Sequence, residues 1–171
     1  MELNNLFGLP AHPLLVHLPV VMVPMAALGA IILAIFPKYF ARFGWWVTGI
    51  SFIGAIGTIL AAGSGEALEE KVDHTATLEH HAQLGETTRL LSIILFAILL
   101  AVMLVRRYKP ALFAKKALVM VASVLIAASS IGAAWAMVAT GHNGAKASWC
   151  EVSKNCPVSN GAATTGDSDE G

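Results

Sequence analysis

The residues best suited to chemistry in this chain are its six histidines. His12 and His17 stand in "AHPLLVHLPV" (11–20), His74, His80 and His81 in "DHTATLEHHAQLG" (73–85), and His142 in "TGHNGA" (140–145). Neutral imidazole is a ligand for zinc, copper and haem iron. The nearby carboxylates Glu66, Glu69, Glu70, Asp73 and Glu79 are available to complete or support such a site. Met25, two helical turns beyond His17, offers a thioether that lines a pocket or ligates iron, although a methionine in an apolar helix is also ordinary packing. The chain has no HExxH and no paired CxxC, so no recognised zinc spacing is present. It has no CxxCH either, so any haem must be held without a covalent thioether link, as haem b. A phosphate-binding glycine loop, a nucleophile elbow and a basic aromatic patch are all missing, which leaves no catalytic motif and no case for nucleic acid.

Cys150 and Cys156 lie in a polar segment after the last apolar run. At that spacing they can close a small disulfide loop in an oxidising compartment, or remain as two thiols.

The elements that must position these groups are membrane spans. Of 171 residues, 56% are hydrophobic and 13% charged, and the mean hydropathy is +0.69. That is too apolar for an ordinary soluble domain. Four continuous apolar stretches, about 13–36, 45–63, 88–105 and 117–140, each approach the ~20 residues needed to cross a bilayer. The third extends backwards as a helix from a hydroxyl cap near Thr75 or Thr77 to about Arg106, giving a span of about 77–106. The fold class expected is all-α, a four-helix transmembrane bundle, because alternating ten-residue segments of a β-barrel are absent. Residues 1–145 form the membrane domain, 146–160 a loop with the cysteine pair, and 161–171 an acidic tail too polar to order itself. "MELNN" carries an acid rather than a basic n-region, so the first run reads as a retained anchor.

Orientation follows from the bases. The links "PKYFARFGWW" and "RRYKPALFAKK" hold Lys38, Arg42, Arg106, Arg107, Lys109, Lys115 and Lys116, seven of the eleven Lys and Arg, and no acid. These links belong in the cytoplasm, which puts both termini and all six histidines toward the outer face. Trp45 and Trp46 fit the aromatic belt on the inner side.

Within that frame Pro13 suits a first helical turn and sets His17 roughly 6 Å inside the helix start. Pro19 and Pro24 each delete a helical hydrogen bond and should bend the span, opening a cavity at its outer end. His81, Gly85, Thr88 and Ser92 make a polar stripe on the third span that should face the interior, with His80 rotated about 100° away. Gly141 and Gly144 read as the end of span four, leaving His142 to close the site from above or to sit exposed after the helix. Small residues recur every four positions at Ala128, Gly132, Ala136 and Thr140, and at Gly57 and Ala61, where helices can approach closely.

"HPLLVHLPV" at 12–20 resembles the opening HPxxVHxP signature of the DUF2231 family of bacterial predicted integral membrane proteins, and "HHAQLG" and "TGHNGA" are similar to its later landmarks. The resemblance spans residues 12–145, with the cysteine-bearing tail outside it, and falls on His12, Pro13, His17, Pro19, His81 and His142. It implies a four-span membrane module with no established activity. Members resembling this chain can occur beside redox domains, which leans toward electron transfer.

These readings converge on a bacterial inner-membrane protein, N-out and C-out, that binds haem b or a metal ion at its outer face. His17 and His81 are the expected primary ligands, with His12, His142, His80 or His74 as further ligands and Gly85 and Met25 lining a haem slot. As a haem protein it passes electrons between the quinone pool and a periplasmic redox protein. Two alternatives stand beside this: a copper or zinc binding or transport protein using the same histidines, and a cofactor-free structural subunit that docks another membrane protein. A transporter should carry ionisable groups near mid-membrane, and this chain has none there. Lipid contact follows from composition, and small-residue lines are compatible with a homo-oligomer.

Overall fold

The computed structural model describes residues 5–6, 9–69 and 76–149. Four of its helical stretches, Ala11–Ile35, Pro37–Glu69, Thr77–Tyr108 and Lys116–Lys146, are long and apolar enough to cross a membrane. The first is built from α1 (Ala11–Leu15) and α2 (His17–Ile35), which run on through Val16: its N–H bonds the His12 carbonyl at 3.1 Å, and Val20 N–H bonds Val16. The irregularity at Val16 has a local cause, since Pro19 has no N–H to give the Leu15 carbonyl. A 3₁₀ turn at Pro37–Tyr39 leads into α3 (Phe40–Glu69). α4 (Ala76–Tyr108), the single turn α5 (Pro110–Phe113) and α6 (Lys116–Trp149) complete the described residues. Ahead of them, β1 (Asn5–Leu6) and β2 (Leu9–Pro10) pair antiparallel over two residues each, a small addition to an all-α fold.

Each long helix packs on its neighbour in the chain, and α2 closes the ring against α6, whereas the α2–α4 diagonal is thinly populated. The start of the first span and the end of α6 therefore lie at one end of the bundle, the terminal end, and both short links at the other, the link end. Large apolar side chains such as Leu28, Ile35, Val124, Ile131 and Trp135 face outward, as a lipid environment requires. Inside, Leu33, Phe40, Val47, Leu95, Leu99, Met103 and Ile126 form the core.

Close packing depends on small residues and on hydroxyls that satisfy themselves. A Cβ on Gly57 would lie 3.0 Å from Pro19 Cδ and 3.2 Å from Pro19 N, so the Pro19 segment of α2 rests directly on the α3 backbone. Thr48, Thr58, Ser64, Thr88, Ser129 and Ser130 are buried, and each donates to a carbonyl three or four residues back on its own helix. Such back-bonding lets a hydroxyl enter an apolar interior at little cost.

Two sequence expectations change. α6 does not stop at Gly141 but runs to Trp149, because neither glycine takes a turn conformation and no proline follows until Pro157. Ala128 is exposed, and Ser129, Ser130 and Ala133 take the interior. A line of every fourth residue drifts ~40° per step on a 3.6-residue helix, so its first member rotates out of the contact.

Candidate functional site

The terminal end of the bundle brings two imidazoles together. His12 and His81 have ring centroids 6.4 Å apart and planes at 88°. His12 sits on α1, in line with α2, and His81 on α4, so the rings reach toward each other across the sparsely filled diagonal of the bundle.

Each ring is seated on the adjacent helix in the same way. His12 Nδ1–H donates to the Ala61 carbonyl at 2.9 Å, with Ser64 Oγ 3.3 Å away, and a Cβ on Gly65 would lie 3.1 Å from its Cε1. His81 Nδ1–H donates to the Thr140 carbonyl at 3.2 Å, and a Cβ on Gly144 would lie 2.9 Å from its Cε1. A carbonyl can only accept, so Nδ1 is the protonated nitrogen in each ring, and in the neutral imidazole Nε2 is the one that keeps a lone pair. Metal-binding histidines are oriented in this manner, one nitrogen tied to a backbone carbonyl and the other presented to the ion.

Two lines of small residues lead to these seats. On α3, Gly57, Ala61 and Gly65 recur every four residues and reach His12; on α6, Gly132, Ala136, Thr140 and Gly144 pass under His81. One turn deeper, the hydroxyls of Thr88 and Thr140 meet at 2.7 Å and tie α4 to α6. On the α3–α4 side, Arg89 bridges Glu66 at 3.7 Å and Glu86 at 2.6 Å, fastening the helices beside the ring pair.

The other expected ligands fall elsewhere. His17 does not oppose His81: it is exposed, and its Nδ1–H returns to the Pro13 carbonyl of its own helix at 2.7 Å. The reason is phase, because five residues from His12 rotate it by roughly 140°. His80 and His142 are exposed, and Met25 is 44% exposed on the outward face of α2. Of the polar stripe, Thr88 and Ser92 are buried with His81 above them, while a Cβ on Gly85 would meet nothing within 4 Å. His74, Glu70, Asp73, Cys150 and Cys156 lie outside the described residues, as does the acidic tail. Among the described residues no group of three or more His, Cys, Asp or Glu is placed to hold a metal.

Among the described residues no cavity opens at the outer end of the first span. Val23, Ala26, Ser51, Ser92 and Leu95 line a slight packing gap with no room for a water molecule, beside the buried, unpaired Ser92 hydroxyl. Sequence reasoning passed over Gly65, Ala61 and Ser64 as partners of a histidine. Gly65 was within reach, as the next member of the Gly57–Ala61 line.

The family model for DUF2231, described as a predicted membrane protein, matches residues 8–157. The match reaches past 145 and takes in Cys150 and Cys156, which the motif resemblance had left outside. No curated protein and no solved structure matches the chain.

Proposed function

The chain belongs to the DUF2231 family of predicted membrane proteins, and from that premise we propose that it holds a copper ion between His12 and His81 at the outer mouth of its bundle. The observation that carries this reading is the pair of rings, 6.4 Å apart, each with Nδ1 bonded to a backbone carbonyl and Nε2 left as the donor. Two imidazoles on one ion, with metal–nitrogen bonds of ~2 Å, have ring centres roughly 6 Å apart. Monovalent copper is satisfied by two such ligands, whereas structural zinc asks for four. Seven basic residues on the links support an orientation with both termini outside, in a bacterial inner membrane.

A second reading has its own support. His12 and His81, whose rings stand 6.4 Å apart, are also the two residues that would hold a haem iron, and the group would supply one-electron chemistry there. Haem b there would make the protein an electron carrier between quinone and a periplasmic redox partner. Against it stands the packing, since rings seated this tightly on Gly65 and Gly144 leave room for an ion more readily than for a macrocycle.

One preparation tests both. The full chain, expressed with adequate haem supply and purified in mild detergent, is titrated with cuprous ion and scanned from the near ultraviolet to the red. One copper per chain is expected, lost in His12→Ala and His81→Ala and kept in His17→Ala. A Soret band lost in the same two variants would move the assignment to haem. Neither copper nor haem bound, or binding indifferent to His12→Ala, would overturn the ring pair as a ligand site.

A further inference from the structure

We infer that the link end of the bundle is a binding surface for anionic phospholipid headgroups, independent of the histidine site at the other end. Lys38, Arg42, Arg106, Arg107, Lys109, Lys115 and Lys116 all fall on this end, and all but the half-buried Arg106 are exposed. No Asp or Glu occurs between Glu2 and Glu66, or between Glu86 and Glu151, so neither link contains an acid to neutralise them. A cluster of four to eight bases immediately beyond the end of a membrane span is the composition that attracts an anionic leaflet.

The structure adds a feature that composition alone does not supply. Four of these cations lie over aromatic rings: Lys38 over Tyr39 at 5.2 Å, Arg42 over Phe43 at 5.3 Å, Arg106 over Phe113 at 5.6 Å and Arg107 over Tyr108 at 5.9 Å. Tyr39, Phe43 and Tyr108 are themselves exposed, along with Trp45 and Trp46, which makes this end an aromatic girdle at headgroup depth. Each cation is thereby held beside the girdle, at the level of the phosphates, instead of extending freely into water. Fixed cations spread around the bundle in a zone without acids complement a layer of phosphodiesters. An acidic protein segment would touch only part of such a rim.

The test uses the full chain in mild detergent, incubated with equal amounts of phosphatidylglycerol and phosphatidylcholine and examined by native mass spectrometry. Retained lipid should be enriched about tenfold or more in phosphatidylglycerol. The enrichment should collapse as salt rises from 0.1 to 1 M, where the screening length falls from ~10 Å to ~3 Å. The variant Lys38→Gln/Arg42→Gln/Arg106→Gln/Arg107→Gln should retain both lipids alike, while Lys146→Gln, at the terminal end, should behave as the parent. Should the variant not fold, the salt dependence of the parent decides. Equal retention of the two lipids by the parent, an enrichment indifferent to salt, or one surviving in a folded quadruple variant would overturn the inference.

Discussion

Three glycines near the histidine pair, Gly85, Gly141 and Gly144, lie inside long helices yet should respond oppositely to alanine. Replacing a helix-interior glycine by alanine gains ~1 kcal/mol from reduced backbone freedom alone. At Gly85 and Gly141 a Cβ meets nothing within 4 Å, so each substitution should stabilise by about that amount. At Gly144 the same Cβ would stand 2.9 Å from His81 Cε1 and 3.3 Å from Nδ1. Ordinary carbon contact begins near ~3.5 Å, so the ring must retreat from α6 by roughly 0.6 Å or more. Its bond to Thr140 is already 3.2 Å long and cannot stretch further and survive. A lost bond that strands a half-buried N–H costs ~1–3 kcal/mol, which cancels or exceeds the helix gain. Gly144→Ala should therefore melt roughly 3–9 °C below Gly85→Ala when thermal unfolding is followed by circular dichroism in detergent. Because Thr140 orients the ring, affinity for the proposed copper ion should also fall ~10–100-fold in Gly144→Ala, read by competition with a chromophoric copper chelator. Equal melting and equal affinity for the two variants would show that His81 is not seated on Gly144, and the geometry of the pair would go with it.

Other consequences are equally direct. Gly57→Ala drives a Cβ against Pro19 ring and backbone atoms that cannot rotate away, and should cost ~1–3 kcal/mol, while Gly49→Ala, with open space around it, should not destabilise; the two melting curves decide. Ser92→Ala removes a buried hydroxyl that has no partner and should raise stability by ~1 kcal/mol, where a drop would show that the hydroxyl is satisfied in the membrane. With Cys150 and Cys156 changed to Ser, a cysteine at His142 should react in intact spheroplasts with a membrane-impermeant maleimide, and one at Lys109 only after lysis. The reverse pattern would invert the proposed orientation.

How far the molecule was legible beforehand depended on whether a feature was periodic over many residues or set by one local boundary. Four spans and an all-α bundle were readable because each apolar run is long and unbroken. Choosing between His12 and His17 was harder, because it turned on where the first helix begins. With Pro13 taken as the first helical residue, His17 becomes the deeper ligand; the helix in fact starts at Ala11 and places His12 inside it. The information that puts His12 rather than His17 on the inward face lay further along the span. His12 and Ala30 are separated by about five whole turns, and Pro19, Val23 and Ala26, all buried, fall within roughly 40° of the same line, while His17 is roughly 140° away. The same projection on α4 carries His81 onto Thr88, Ser92, Leu95 and Leu99, which is why His81 turns inward and His80 does not. Histidine partners were not readable from either helix alone, since Ala61 and Thr140 contribute backbone carbonyls, which leave no mark on residue type. What does leave a mark is the space each ring needs. The small-residue lines of α3 and α6 run through Gly65 and Gly144, where the absence of a Cβ lets each ring lie against the helix. An aromatic side chain one span away is the group to seek wherever such a line presents a glycine near a membrane surface.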